Sequence, residues 1–85
     1  MKVRVTQEHI VAGKARSPGS CPIALALVGA RPDRKWLVGE RNVTVYENHA
    51  PIAEVLLPRA ASNFVREFDL GVPVEPFEFE LEVLP

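Results

Sequence analysis

The segment Phe77-Glu78-Phe79-Glu80-Leu81-Glu82-Val83 alternates apolar residues with glutamate over seven positions. A period of two belongs to a strand with one buried and one solvated face. The opening residues carry the same period, with Val3 and Val5 on one face and Lys2, Arg4 and Thr6 on the other. Laid side by side, the two strands set Lys2 and Arg4 against the glutamates, and each cross-strand pair contributes about 0.2–1 kcal/mol. The two ends of the chain are therefore expected to close on each other.

Between them, Thr6 is placed to cap a short helix, with Glu8 in its first turn, Val5 and Ile10 as a hydrophobic staple and Gly13 as the stop. Residues 14–20, Lys-Ala-Arg-Ser-Pro-Gly-Ser, read as a loop. A second helix opens at Pro22 with Ser20 or Cys21 as its cap, and its body, residues 23–28, is apolar all round. A helix with no polar face is a buried one. After the charged connector 31–35, residues 36–38 and 42–46 read as strands around Gly39-Glu40-Arg41, and a further strand covers 52–57 beyond the polar turn 47–51. The spacing predicts a third helix over 58–70, with Leu57, Ala61, Phe64, Val65 and Phe68 in one apolar stripe and Arg59, Asn63, Arg66 and Glu67 opposite. Gly71 ends it, and Pro73 and Pro76 keep the approach to the last strand extended. The order is β-α-α-β-β-β-α-β. It predicts a small two-layer α+β domain, a mostly antiparallel sheet with three helices against a face.

The chain of 85 residues is the length of one domain, residues 1–85. Apolar residues at 47% and charged residues at 25% exclude a disordered or fibrous chain. A single cysteine excludes an internal disulfide framework, and no Cys/His spacing matches a zinc site. The longest apolar run, residues 22–30, is far below the roughly 20 residues of a membrane span. The alternating N-terminus is not a signal peptide, so the expected location is a reducing cytoplasm with no membrane partner. The net charge of -1 conceals an asymmetry. Residues 1–41 carry eight Lys or Arg against Glu8, Asp33 and Glu40, a net +5, whereas residues 42–85 carry Arg59 and Arg66 against eight acids, a net -6. Pairing of the two end strands absorbs part of this difference, and nucleic-acid domains are usually basic overall, so nucleic acid is a disfavoured partner.

The basic residues that the end strands leave over direct attention to the loop. Lys14, Arg16, Ser17, Gly19 and Ser20 precede a helix N-terminus, with Arg34 and Lys35 as support, and these are the components of an anion site. Neither a GxxxxGK[ST] loop nor a GxGxxG turn is present, so no nucleotide cofactor is implied. Cys21, at the same helix start, is where a thiol is activated by the helix dipole, with His9 or His49 as the only histidine bases. No orienting group or oxyanion site accompanies it, and a small packed thiol is the preferred reading. Four of the six aromatics fall on expected core faces. Trp36 and Tyr46 are the two open to either exposure or capping of the core edge, and capping is preferred.

Three stretches carry a resemblance: Val5-Thr6-Gln7-Glu8-His9-Ile10, Cys21-Pro22-Ile23-Ala24-Leu25-Ala26-Leu27, and residues 57–81 with their Leu-Pro…Phe-Val-Arg-Glu-Phe-Asp-x-Gly-x-Pro-Val-Glu-Pro-Phe-x-Phe-Glu-Leu pattern. In these the chain resembles a group of small proteins encoded by bacteriophages and prophages. The resemblance implies an accessory protein of a phage, made in a bacterial cytoplasm and acting by binding. It would inhibit a host protein or sequester an anionic small ligand such as a nucleotide signal, without catalysis. An oligomer is compatible with so thin a core, through an edge strand or the Trp36–Tyr46 hairpin. The alternatives are a small thiol-dependent enzyme using Cys21 and a weak nucleic-acid-binding module.

Overall fold

A computed structural model of the chain describes residues 1–82. Its elements are β1 (Lys2–Val5), α1 (Gln7–Ala12), α2 (Pro22–Ala30), β2 (Lys35–Val38), β3 (Asn42–Glu47), β4 (Ala50–Leu56), α3 (Arg59–Asp69) and β5 (Phe77–Glu80). The α+β class and the order β-α-α-β-β-β-α-β are those read from the sequence. Val83, placed on the last strand by its alternation, lies outside the described residues.

The chain ends close as the charge pattern requires. β1 and β5 pair antiparallel, with Lys2 opposite Glu80 and Arg4 opposite Glu78. Arg4 Nε lies 2.9 Å from Glu78 Oε1, and Lys2 Nζ lies 3.7 Å from Glu78 Oε2. Val3, Val5 and Phe79 fill the buried face. Backbone bonds between Met1 and Leu81 extend the ribbon by one more pair.

β2, β3 and β4 form a second antiparallel sheet, in that order. Its two-residue turn at Asn48 and His49 has both residues in the left-handed region, φ 51° and 67°, the geometry that a tight hairpin needs. The strands thus divide between two sheets instead of joining edge to edge. Glu54 of β4 and Glu80 of β5 border the same cleft.

One core serves both sheets. Ile23, Ala24 and Leu27 of α2 are fully buried, and α2 packs on β1, β2 and α1. Its last turn departs from the burial expected of an all-apolar helix: Val28 is 40% exposed. The stripe of α3 is the one read from the sequence, with Leu57, Ala61, Phe64 and Val65 buried. Phe64 stacks on Phe77 at 4.8 Å and Phe77 on Phe79 at 5.5 Å, which fixes α3 over β5. Trp36 is 1% exposed and donates its indole N–H to the Arg31 carbonyl, so it closes the core. Tyr46 is half-buried.

Candidate functional site

The loop at residues 14–20 is held from three sides. Lys14 N–H donates to the Ser20 carbonyl, and the amides of Ser20 and Cys21 both donate to the Ser17 carbonyl. Val38 N–H of β2 reaches the Pro18 carbonyl at 2.9 Å. Arg16 sits in the left-handed region at φ 53°, its amide on Asp69 Oδ1 at 2.8 Å and its guanidinium on the Asp69 carbonyl at 2.9 Å. The amides of Lys14, Arg16, Ser20 and Cys21, which an anion would need, thus already have partners, and Arg16 neutralises the C-terminal end of α3.

Arg34 is likewise engaged, its side chain 7% exposed and its Nε 3.2 Å from Glu47. The predicted set divides between two cavities. Arg16 and Ser17 line a small one of about 190 Å³ with Cys21 and Asp69, whereas Arg34 and Lys35 line another of about 600 Å³ with Tyr46 and His49. Gly19 lies against Leu37 of β2. Lys14 and Lys35 are exposed and have no ion-pair partner among the described residues.

Cys21 is the N-cap of α2, and its Sγ accepts from Ala24 N–H at 3.4 Å. Burial pushes its thiol above the ordinary value, against the smaller opposing effect of the helix amides. A buried, protonated, cap-forming thiol is the reverse of an activated nucleophile. His9 is committed elsewhere: its Nδ1 accepts from Thr6 N–H at 3.0 Å, and Thr6 Oγ1 accepts from His9 N–H. Histidine here fills the capping-box position that glutamate usually takes. His49 is exposed in the β3–β4 turn. Among the described residues no group of His, Cys, Asp or Glu is disposed to hold a metal, and no helix is long and apolar enough to cross a membrane.

The more open constellation lies at the other helix start. Pro58 is the N-cap of α3 and has no side-chain acceptor, and the first turn holds no acid. The amides there lack the side-chain partner that Cys21 gives α2. Arg41, Arg59 and Arg66 border a groove of about 640 Å³ beside this end, with Ser62 and Asn63. Two local bonds shape it. Leu57 N–H donates to the Arg41 carbonyl at 2.8 Å, and Ser62 Oγ donates to the Glu40 carbonyl at 2.6 Å. Arg66 is steadied by Asn63 Oδ1 at 2.6 Å and by Glu40 at 3.9 Å, a loose exposed pair. Arg41 and Arg59 are exposed and have no ion-pair partner among the described residues.

Sequence reading places Arg59 and Arg66 on the helix face opposite the apolar stripe, and leaves Arg41 in the unpaired basic set of the N-terminal half without naming it a site residue. The usable signal was an absence, a helix beginning Pro-Arg with neither a capping side chain nor a first-turn acid. Chemically, the groove offers guanidinium forks to an oxyanion, with Leu56 and Leu57 as an apolar wall. No protein-family model, curated protein or solved structure matches this chain.

Proposed function

We propose that this chain is a small binding protein of bacteriophage type, working in the bacterial cytoplasm without catalysis, and that it sequesters an anionic small ligand of nucleotide size. The observation that carries the reading is that Arg41, Arg59 and Arg66 border one groove along α3, beside its uncapped first turn. Phosphate oxygens suit that combination, since guanidinium groups bind them bidentately and helix amides bind them without a counter-charge. The volume of about 640 Å³ lies within the range of small-molecule sites, and the leucines give a base or other apolar portion a surface. Lys14 and Lys35 add to the field that draws an anion toward the protein.

The test is fluorescence anisotropy with a labelled nucleoside diphosphate, competed by pyrophosphate. A hydrogen bond to a charged group is worth about 1.5–3 kcal/mol, so replacing both Arg41 and Arg59 with alanine should weaken binding at least tenfold. Replacing Lys14 and Lys35 should weaken it only a few-fold and chiefly at low salt. No binding at millimolar nucleotide, or binding indifferent to the two arginines, would remove this reading.

A further inference from the structure

β4 and β5 each end a sheet, and both border one cleft. β4 pairs only with β3, and β5 only with β1. The cleft, about 660 Å³, is lined by the consecutive residues 53–58 and by Glu80 and Glu82. Neighbouring residues of a strand point to opposite faces, so a wall holding both Glu54 and Val55 is the edge of β4 and not one of its faces. An edge presents a row of unpaired N–H and C=O groups. Among the described residues, no backbone bond outside the two ladders involves any residue of β4 or β5.

The walls of the cleft carry charge of one sign. Glu54, Glu80 and Glu82 line it, and no cation does. Glu80 has the Met1 amino group at 3.5 Å, Glu54 accepts from the Asn42 amide, and Glu82 has no ion pair among the described residues. What such an edge takes is visible on the other side of β5. There β1, Lys2-Val3-Arg4-Val5, turns its cations to Glu78 and buries its valines at 1% and 0% exposure. Leu56, 77% exposed at the rim of the cleft, supplies an apolar contact for an incoming chain.

We infer that the β4–β5 cleft binds an extended segment of another protein in which basic and apolar residues alternate. The incoming strand joins the two-stranded and three-stranded sheets into a single sheet of six strands. Main-chain bonds to either edge give the affinity, and the glutamates select the basic side chains.

The experiment is an NMR titration of the whole ¹⁵N-labelled chain with an acetylated, amidated peptide Lys-Val-Arg-Val-Lys-Val. The expected result is shift changes and slowed amide exchange concentrated at residues 53–56 and 80–82. The same peptide with glutamate at its basic positions should bind at least tenfold more weakly. So should peptides N-methylated at alternate residues in either register, which keep the charge but lose the edge bonds. Glu54→Gln with Glu82→Gln, both at exposed side chains, should weaken binding severalfold while leaving the spectrum of the free chain folded. The variant lacking Arg41 and Arg59 should bind the peptide undiminished, which separates this site from the nucleotide groove. Four results would overturn the inference: no binding at millimolar peptide, shifts centred outside the cleft, indifference to N-methylation, or self-association of the free chain that protects these amides.

Discussion

Helices α2 and α3 begin in opposite ways. The start of α2 is closed: Cys21 Sγ caps it, Pro22 occupies its first position, Ile23 and Ala24 are fully buried, and the preceding loop is tied to β2 and to the end of α3. The start of α3 is open: Pro58 gives it no cap, and Arg59 of its first turn borders a groove with Arg41 and Arg66. Sequence reasoning favoured the first as a ligand site because loop, cations and helix start are contiguous there. Contiguity favours local structure just as strongly, since a short loop satisfies its own amides before any ligand arrives. The second assembles from Arg41 before β3 and from Arg59 and Arg66 on α3, residues that meet only after β3 and β4 have folded back.

The same distinction governs what could be read in advance. The β1–β5 pairing and the stripe of α3 were legible as periodic patterns, and the body of α2 as an unbroken apolar run, because the partner surface of each is the core itself. The separation of the sheets was not. It depends on where the edges of β4 and β5 come to lie relative to each other, and no single-strand pattern encodes that. Arg16 was misjudged as free because Asp69, its partner, lies 53 residues away in sequence.

The strongest way to break the comparison is to exchange the energetic roles of the two starts. Leu27→Ala removes a fully buried side chain and should cost about 2–5 kcal/mol. Gly13→Ala should cost about 1–3 kcal/mol, because a Cβ there would stand 2.6 Å from Pro22 Cδ and force α1 away from α2. Arg59→Ala, exposed, should stay within about 0.5 kcal/mol. Urea unfolding followed by circular dichroism measures all three. If Arg59→Ala proved as damaging as Leu27→Ala, the open start would be structural and the anion reading would fail.

Next in size is the cap. Cys21→Ala should cost about 0.5–2 kcal/mol, in the range of other lost N-caps. The thiol of the folded protein should resist iodoacetamide at pH 8 and react once urea unfolds the chain. Because burial raises its pKa above the ordinary 9.0, the unfolded chain loses its thiol proton first. Stability should therefore fall as the pH rises beyond about 9, and Cys21→Ser should abolish that dependence. Fast alkylation of the folded protein near neutrality would instead make Cys21 an activated thiol.

Pro58→Asp turns the open start into a closed one. The backbone at Pro58, φ -59° and ψ 156°, is extended, which an N-cap aspartate adopts readily. The new carboxylate would cap the first-turn amides and place a negative charge next to Arg59. Stability should change by less than about 1 kcal/mol, the gained cap offsetting the lost proline rigidity. Nucleotide affinity should nevertheless fall at least tenfold. Equal affinity in this variant would show that the start of α3 plays no part in binding.

The smallest effect lies at the far end of α2. Arg31 is its C-cap, and its guanidinium holds both carboxylate oxygens of Asp33, at 3.0 and 2.8 Å. Those bonds lower the Asp33 pKa from 3.8 to about 2. A depressed carboxylate pKa stabilises the fold above the unfolded value, and that contribution fades as the pH falls from about 4 toward 2. The pair lies at the surface in contact with water, so its contribution to overall stability is slight, whereas its titration is distinctive. A carboxyl ¹³C titration should place Asp33 near 2, and Arg31→Gln should return it toward 3.8. Of the eight cations in the N-terminal half, Lys2 and Arg4 lie on Glu78, Arg16 on Asp69, Arg31 on Asp33 and Arg34 on Glu47, which leaves Lys14, Lys35 and Arg41 without an acidic partner among the described residues. An unshifted Asp33 would show that the Arg31–Asp33 pair does not persist in solution and would return Arg31 to the free cations.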